Sequence, residues 1–412
     1  MTIKTKTKST GKPTSKKTKT SAPQITEVLA SEIQFGPALC IMKVPEQKLW
    51  SLTLTERLVK QFAKAGLTEV VDETTAARRN GPIILVRGDV VIDQPLISVL
   101  LKRPHFLLLS DDASAQPIAV SLRGVDVPLG LQLLDASKSP KDTNFLARSP
   151  SQLDMDFWQA LRKRETPYAT VVMPSNKSAV EWRMFMGTYK GATDIVTKHL
   201  WPVPAFHVTR FLAPRGVTPN MVTTLGAIMT VLAFYCFLVG QFWPGLLAAW
   251  VMTFLDTVDG KLARTTLSSS KWGDVFDHGI DLVHPPFWYI AWALGLTAAG
   301  TQWSQKFLTL VIVAVLAGYV LQRLLEGIAI KWLGLEIHIW RPIDTLFRQI
   351  TARRNPNLII LTAFTILARP DLGLIAVALW TVVCLGLHSV QLAQALAAKQ
   401  KSGAITSWLT KP

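Results

Sequence analysis

Four of the five aspartates in the stretch Leu255–Leu282, which reads LDTVDGKLARTTLSSSKWGDVFDHGIDL, form two closely spaced pairs. Asp256 and Asp259 are three residues apart, and Asp277 and Asp281 are four residues apart. On a helix, either spacing puts two carboxylates on one face. The flanking segments are apolar and long enough to span a bilayer, where a carboxylate is costly and indicates a functional site. Ligands that are all oxygen suit Mg²⁺, Mn²⁺ or Ca²⁺ better than zinc.

The same stretch contains a longer motif of fixed spacing, D-x2-D-G-x2-A-R-x8-G-x3-D-x3-D. This motif resembles the signature of the CDP-alcohol phosphotransferase family, which are membrane enzymes of phospholipid synthesis. All eight fixed positions are filled, and each residue type is only a small fraction of ordinary sequence. The tetrapeptide Val217–Asn220 (VTPN) precedes the first apolar segment and also resembles the family, in which the first membrane helix often begins this way.

The resemblance implies a role for each motif residue. It implies that Asp256, Asp259, Asp277 and Asp281 hold Mg²⁺ or Mn²⁺, as a pair of ions, and that Asp281 is the general base. It implies a CDP-alcohol site formed by Gly260, Ala263, Arg264 and Gly273, together with Ser270 and Asn220. Outside the motif, Arg353 and Arg354 are candidates for an acceptor phosphate, although the excess of basic residues in cytoplasmic loops explains them equally well.

The reaction that this family implies is attack by an alcohol on the β-phosphate of a CDP-alcohol, with release of CMP. The expected donor is CDP-diacylglycerol, and the expected surroundings are membrane lipids. Family members are commonly homodimers, so a homodimer is expected here as well. Phosphoryl-type transfer depends on positioning and on neutralisation of charge, which an aspartate cluster with bound cations supplies.

The composition agrees with a membrane protein that has a polar N-terminal half. The 412 residues carry a formal net charge of +16, and the mean hydropathy is +0.27. The apolar residues are concentrated after Pro219. Because membrane spans are predicted, positive charge on the cytoplasmic side explains much of the basic excess, and no nucleic-acid partner is expected.

We predict an α/β domain followed by an all-α domain of six transmembrane helices. The predicted segments are a disordered basic tail (1–24), a cytosolic α/β domain (25–185), a juxtamembrane amphipathic linker (186–218), the transmembrane domain (219–398) and a cytosolic tail (399–412). The predicted spans are Asn220–Val239, Trp243–Arg264, Asp274–Leu296, Phe307–Ile328, Asn357–Leu367 and Leu372–Leu396. Basic residues cluster in the 264–273 and 323–356 loops and in the tail, which predicts that both termini and the aspartates lie on the cytoplasmic side of the cell membrane.

In residues 25–185, short β-rich runs alternate with helical ones, which predicts a mixed sheet with flanking helices. The domain resembles a degenerate sugar-nucleotide-type nucleotidyltransferase, through Lys48 ahead of a helix and through Arg87–Asp89 after a strand. That family opens with a glycine-rich loop whose amides bind the phosphates, whereas the matching stretch here reads CIMKVPEQK. We therefore interpret Asp89 as a turn residue rather than as a metal ligand.

Two other functions are compatible with the chain. A bifunctional enzyme would also make its own CDP-alcohol in the N-terminal domain, but the missing glycine loop argues against it. A divalent-ion transporter would use the aspartates for transport, but such proteins contain internal repeats and broken helices, and no repeat is evident.

Overall fold

The computed structural model describes residues 36–43, 46–155, 157–158 and 161–410. The predicted basic tail of residues 1–24 lies outside these ranges. Two regions follow one another along the described chain. The first mixes strands and helices, and the second is helical.

The strands all belong to the first region, and most are short. In chain order they are β1 Ala38–Met42, β2 Lys48–Leu49, β3 Leu52–Thr53, β4 Val70–Val71, β5 Pro82–Arg87, β6 Val90–Ile92, β7 Phe106–Leu109, β8 Pro117–Arg123, β9 Leu146–Arg148, β10 Phe157–Trp158, β11 Lys163–Arg164 and β12 Ala169–Val171. Six of them form one sheet in the order β4-β1-β5-β8-β7-β9. Strand β1 runs parallel to β4 and β5, whereas β8 runs antiparallel to β5 and β7. The predicted mixed sheet is therefore confirmed.

Helices cover this sheet and connect its strands. They are α1 Leu54–Lys64, α2 Glu73–Arg78, α3 Gln94–Lys102, α4 Val127–Leu134 and α5 Lys177–Gly187. Helix α1 begins with a capping box, in which the Thr53 hydroxyl accepts from the Glu56 amide and the Glu56 carboxylate accepts from the Thr53 amide. In the turn between β5 and β6, Asp89 pairs with the Arg87 guanidinium at 2.7 Å, which agrees with its interpretation as a turn residue.

The second region is built from helices joined by short connections. They are α6 Pro202–Leu212, α7 Pro219–Leu238, α8 Phe242–Thr265, α9 Lys271–Ala298, α10 Gln305–Leu333, α11 Pro342–Phe347, α12 Arg354–Ile366 and α13 Pro370–Ser402. Among the described residues, α7, α10 and α13 are long and apolar enough to cross a membrane. Three candidate spans are thus found, and the six-span topology stays a prediction.

Aromatic side chains fill the core of the helical region. Trp292 is fully buried and lies against Phe237 and Phe242, with ring centroids 4.9 Å and 4.6 Å away. The Trp292 indole N–H donates to the Pro370 carbonyl, which connects α9 to the start of α13. This packing fixes the helices that carry the aspartates.

Candidate active site

Helices α7, α8 and α9 position the aspartate motif, and each begins or ends at a residue that explains its boundary. Thr218 caps α7 by accepting from the Met221 amide at 3.3 Å, with Pro219 in the first turn, as the sequence predicts. Ser270 caps α9 by accepting from the Gly273 amide at 3.0 Å. The polar 266–270 connection therefore turns the chain directly from α8 into α9, which brings the two pairs of aspartates together.

Three of the motif carboxylates form one cluster. Each of Asp256, Asp259 and Asp277 offers one oxygen, and these oxygens all lie within 4.8 Å of one another. Asp259 is buried, and its Oδ2 accepts from the Thr223 hydroxyl on α7 at 2.6 Å. Its Oδ1 is buried and has no hydrogen-bond partner among the described residues. A buried carboxylate oxygen left without a donor, next to two further carboxylates, fits a divalent cation with oxygen ligands.

Arg354, the first residue of α12, joins Asp281 to this cluster. Its Nη2 donates to Asp256 at 2.5 Å, and its Nη1 donates to Asp281. Asp281 therefore lies beside Asp256 but against a guanidinium, and its predicted roles as metal ligand and general base stay predictions. Arg354 also lies at the site. Its guanidinium pairs with the carboxylates of Asp256 and Asp281, and its predicted role as a phosphate ligand stays a prediction.

The residues predicted to bind the nucleotide fall into two groups. Asn220, Ser270 and Gly273 meet where α7 begins beside α9, since a Cβ on Gly273 would lie 2.8 Å from Asn220 Oδ1 and 3.1 Å from Ser270 Oγ. Gly260 faces the Arg264 guanidinium, whose Nη1 would lie 3.5 Å from an added Cβ. Ala263 follows on the same helix, α8. The structure thus brings the three residues of the first group together, although sequence spacing alone relates Asn220 to neither of the others.

A polar cavity of about 410 Å³ opens beside the aspartates. Asp256, Asp277 and Asp281 line it, together with Gly260. Its other charged residues are mostly basic. The Arg and Lys residues that line it are Arg162, Lys190, Lys261, Arg264, Arg323, Arg348, Arg353 and Arg354. A cavity that places this many cations beside a carboxylate cluster can bind a substrate that carries several phosphate oxygens and a metal ion.

The cations at one end of the cavity form a buried network around Glu326 of α10. Arg353 and Arg323 both pair with Glu326, and His338 lies 3.0 Å from Glu326 Oε1. Burial lowers the pKa of His338 to about 3, so the imidazole is neutral. Arg348 is buried, and its Nε and Nη1 have no hydrogen-bond partner in the described chain. Sequence analysis predicted Arg353 for this region and placed Arg348 in the same basic loop, which could receive a phosphate, but it assigned no such role to Arg323 or Glu326.

The comparisons with known proteins agree with this geometry. Residues 216–353 match the sequence model of the CDP-alcohol phosphatidyltransferase family. The chain is 38% identical over 109 residues to an archaetidylinositol phosphate synthase from Pyrococcus horikoshii, which covers 26% of the chain and 56% of that protein. It is 37% identical over 97 residues to a phosphatidylinositol phosphate synthase from Streptomyces avermitilis, covering 23% of the chain and 37% of that protein.

A further relative is a cholinephosphotransferase 1 from Danio rerio, 38% identical over 85 residues, which covers 18% of the chain and 22% of that protein. The chain therefore spans between about a fifth and just over half of the length of these relatives. The matched range, residues 216–353, contains the whole aspartate motif. The chain therefore carries a CDP-alcohol phosphatidyltransferase domain at residues 216–353.

Proposed function

We propose that this protein is a membrane enzyme that transfers a substituted phosphate group from a CDP-alcohol to an acceptor alcohol and releases CMP. The observation that carries the proposal is the cavity in which Asp256 and Asp277 of the three-carboxylate cluster face many basic residues. A pair of phosphates needs cations on several sides at once, and such a substrate is more anionic than a simple alcohol. We infer CDP-diacylglycerol as the donor, because the candidate membrane spans α7 and α10 contribute residues to the site and a lipid donor would place its acyl chains in the membrane beside them.

Asp256, Asp259 and Asp277 are the residues that would hold Mg²⁺ or Mn²⁺, as one ion or as a pair that includes Asp281. A bound divalent ion supplies neutralisation of the diphosphate and of the charge that develops on the departing CMP. Thr223 fixes the Asp259 carboxylate in position by its hydrogen bond of 2.6 Å. Arg264 provides a further charge for the diphosphate, and Gly260 leaves room beside it because it has no side chain. Ala263, Gly273, Ser270 and Asn220 belong to the proposed nucleotide side.

The transfer itself needs a base for the acceptor hydroxyl, and we assign that role to Asp281. The acceptor oxygen attacks the β-phosphorus, the bond from that phosphorus to the CMP oxygen breaks, and the hydroxyl proton passes to the Asp281 carboxylate. Arg354 orients both Asp281 and Asp256, which keeps the base beside the metal-binding carboxylates. Geometry of this kind favours the reaction because the reacting groups are held together in advance.

We infer that the acceptor carries a phosphate of its own. Arg353 and the buried Arg348 both line the cavity, and Nε and Nη1 of Arg348 have no hydrogen-bond partner in the described chain. Buried cationic N–H groups without an acceptor favour an anionic ligand. The names of the relatives from Pyrococcus and Streptomyces refer to inositol phosphate products, so inositol phosphate is the first acceptor to test. Arg354 is the other predicted phosphate ligand. Its contribution in this proposal is to orient Asp281.

The remaining parts of the chain fit a single catalytic centre. We propose that the N-terminal region is a degenerate nucleotidyltransferase without its own turnover, because Asp89 is engaged by Arg87 and the glycine-rich loop is missing. We propose six spans in the cell membrane, with the termini and the aspartates on the cytoplasmic side, on the basis of the charge distribution. We also propose a homodimer, because members of the family that the motif resembles are commonly homodimers.

The direct experiment measures CMP release by the purified protein from CDP-diacylglycerol, with and without Mg²⁺ or Mn²⁺. The acceptors are inositol phosphate, inositol, glycerol 3-phosphate and serine. We expect metal-dependent release with one phosphate-bearing acceptor and a loss of at least 100-fold in Asp281→Asn, since a general base contributes about 10²–10⁴ in rate. No release with any acceptor or metal would contradict the proposal, and metal binding without turnover would instead favour ion transport.

A further inference from the structure

One wall of the cavity is built by residues that precede the family match. The matched range begins at residue 216, yet residues between 162 and 197 line the cavity. One of them directly precedes β11, and the others lie in the segment that follows α5. The cavity-lining residues in this part include Arg162, Tyr189, Lys190, Asp194 and Thr197. The site is therefore not closed by the matched domain alone.

This wall is tightly fixed to the α10–α12 connection. Arg162 Nε pairs with Glu336 at 2.7 Å, and the Asp194 carboxylate accepts from the Asn355 amide group at 2.9 Å. The Gly191 amide donates to Leu161 at 2.9 Å, and a Cβ on Gly191 would lie 2.4 Å from the Arg162 carbonyl oxygen. The segment on each side of Lys190 is thus held in one position.

The same segment is tied to α8, the helix that carries Asp256 and Asp259. The Lys261 ammonium lies 3.2 Å from the centroid of the Tyr189 ring and donates to the Thr188 carbonyl at 3.1 Å. Both contacts are made by the two residues immediately before Lys190. Lys190 is therefore placed relative to the motif by contacts in its own neighbourhood.

Lys190 itself is half-buried and faces the cavity, and in the described part of the chain no carboxylate lies within ion-pairing distance of it. Burial lowers the pKa of Lys190, and the charges of Arg162 and Arg264 lower it further, whereas Glu336 and Asp256 raise it. The charged groups that act on it thus include Arg264 and Asp256 of the motif. A half-buried ammonium that lines a cavity together with several guanidinium groups gains most from an anionic ligand.

We propose that Lys190 binds a phosphate oxygen of the CDP-alcohol diphosphate together with Arg264, and that the Arg162–Glu336 pair positions Lys190 for this contact. The inference rests on the proposed function, because it assigns part of the donor site. It makes the segment before residue 216 a working part of the site. The donor is favoured over the acceptor because Lys190 directly follows the two residues that contact Lys261 of α8, the helix that also carries Asp256 and Arg264. Arg353, in contrast, belongs to the network around Glu326.

The test compares Lys190→Met and Lys190→Arg with Lys198→Met, an exposed lysine of the same segment that does not line the cavity. We expect Lys190→Met to raise KM for CDP-diacylglycerol about 10-fold or more, because the variant loses a hydrogen bond to a charged group, and 10-fold corresponds to about 1.4 kcal/mol. KM for the acceptor should stay unchanged, Lys190→Arg should recover part of the loss, and Lys198→Met should equal the wild type.

Calorimetric binding of CDP in the presence of Mg²⁺ provides a readout that needs no turnover. The Kd for CDP should rise about 10-fold in Lys190→Met, which follows from the same free energy. An unchanged Kd and KM would overturn the inference while CMP release by the wild type still supported the proposed function. A rise confined to the acceptor KM would also overturn it. CDP binding that depends on Lys190 in a protein without CMP release would refute the proposed function alone.

The Arg162–Glu336 pair has its own test. Arg162→Glu places two carboxylates against each other and should weaken CDP binding, and the double variant Arg162→Glu/Glu336→Arg should restore most of the affinity. Restoration would show that the ion pair positions Lys190 and that Arg162 does not bind the substrate directly. The double variant has a carboxylate at position 162, and a carboxylate cannot replace a guanidinium that binds a phosphate. Failure of the double variant to recover CDP binding, when its Tm matches the wild type, would overturn the positioning role.

Discussion

The two carboxylate oxygens of Asp259 have different surroundings. Oδ2 accepts from the Thr223 hydroxyl, whereas Oδ1 is buried without a hydrogen-bond donor in the described structure. The hydroxyl on α7 therefore fixes the carboxylate plane and leaves one oxygen for a cation. Residues that orient a metal ligand in this way typically contribute about 10–100-fold to metal affinity.

This arrangement predicts that Thr223→Val raises the Mg²⁺ concentration for half-maximal CMP release by about 10-fold or more, because the isosteric valine removes only the hydroxyl. Thr223→Ser keeps the donor and should stay within about twofold of the wild type by the same argument. A Mg²⁺ titration of initial rates measures the effect. An equal Mg²⁺ requirement in Thr223→Val and the wild type would mean that the hydroxyl does not orient a metal ligand.

Gly273 allows a second prediction at the scale of one residue. A methyl group at this position would meet Asn220 Oδ1 at 2.8 Å and Ser270 Oγ at 3.1 Å, so Gly273→Ala must displace the Asn220 side chain or the α9 cap. We expect weaker CDP binding in this variant, measured by calorimetry. Gly279→Ala, on the same helix and with open space around the added Cβ, is the matched control and should bind CDP like the wild type. Equal affinity in both variants would exclude Gly273 from the nucleotide site.

At the scale of elements, the helices that follow a clear apolar pattern are predicted well from sequence. The Thr218–Pro219 start of α7 is confirmed, because capping and proline geometry depend only on neighbouring residues. Helix α12 differs, since it begins at Arg354 rather than at the predicted Asn357. Its first turn is polar because Arg354 binds Asp256 and Asp281, and the Asn357 amide donates to the Tyr289 hydroxyl. Polar residues that serve the site thus hide the start of the helix from a hydropathy pattern.

The carboxylate cluster itself could be predicted, because all its members lie in one short motif. The cationic part of the cavity could not be predicted, since Lys190 and Arg348 are far apart in sequence and line the same cavity only in the folded chain. Residues that are distant in sequence have no fixed spacing that a sequence motif could describe. The sequence shows a basic linker and a basic loop. Basic residues that determine membrane topology give the same sequence pattern, so the pattern alone does not indicate a binding site.

We expect the stability of the protein to depend on pH through Asp93, the residue that caps helix α3. Burial raises the pKa of Asp93 to about 7, although its carboxylate caps the Gln94 amide and Lys163 lies near enough to oppose the shift. The folded pKa lies above the unfolded value, so the contribution to stability is complete below about pH 4 and is lost as the pH rises to 7. We expect Tm of the wild type to fall by several degrees from pH 5 to pH 7.5.

The Asp93→Asn variant removes the titrating group and isolates its effect. The difference in Tm between this variant and the wild type should change with pH over the window from about 4 to 7 and be constant above it. Thermal unfolding of the full chain in detergent at matched ionic strength measures it. A difference that is the same at pH 5 and pH 7.5 would contradict a raised pKa for Asp93.

For the molecule as a whole, the decisive feature is the joint between the α/β region and the helices. One buried cluster contains Trp50 and Phe185 from the α/β region, Phe206 from α6, and Val258 and Leu262 from α8. Trp50 and Phe206 meet edge to face with centroids 5.7 Å apart. Since α8 also carries Asp256 and Asp259, packing in this joint holds the cavity wall against the motif.

Arg57 completes the joint and gives the prediction that tests it. The side chain is 3% exposed, and its Nη2 donates to the carbonyl of Thr265, the last residue of α8. Burial lowers the pKa of Arg57 to about 10, so the guanidinium remains charged at neutral pH.

Arg57→Met keeps the apolar stem but leaves the carbonyl without its donor, which costs about 1–3 kcal/mol. We expect a fall of a few degrees in Tm and faster proteolysis between the two regions, with CDP binding weakened because the wall at Lys190 is no longer held. Lys60→Met, an exposed change on the same helix, should do neither. If Arg57→Met lowered Tm while CDP affinity stayed constant, the α/β region would stabilise the fold without forming part of the site.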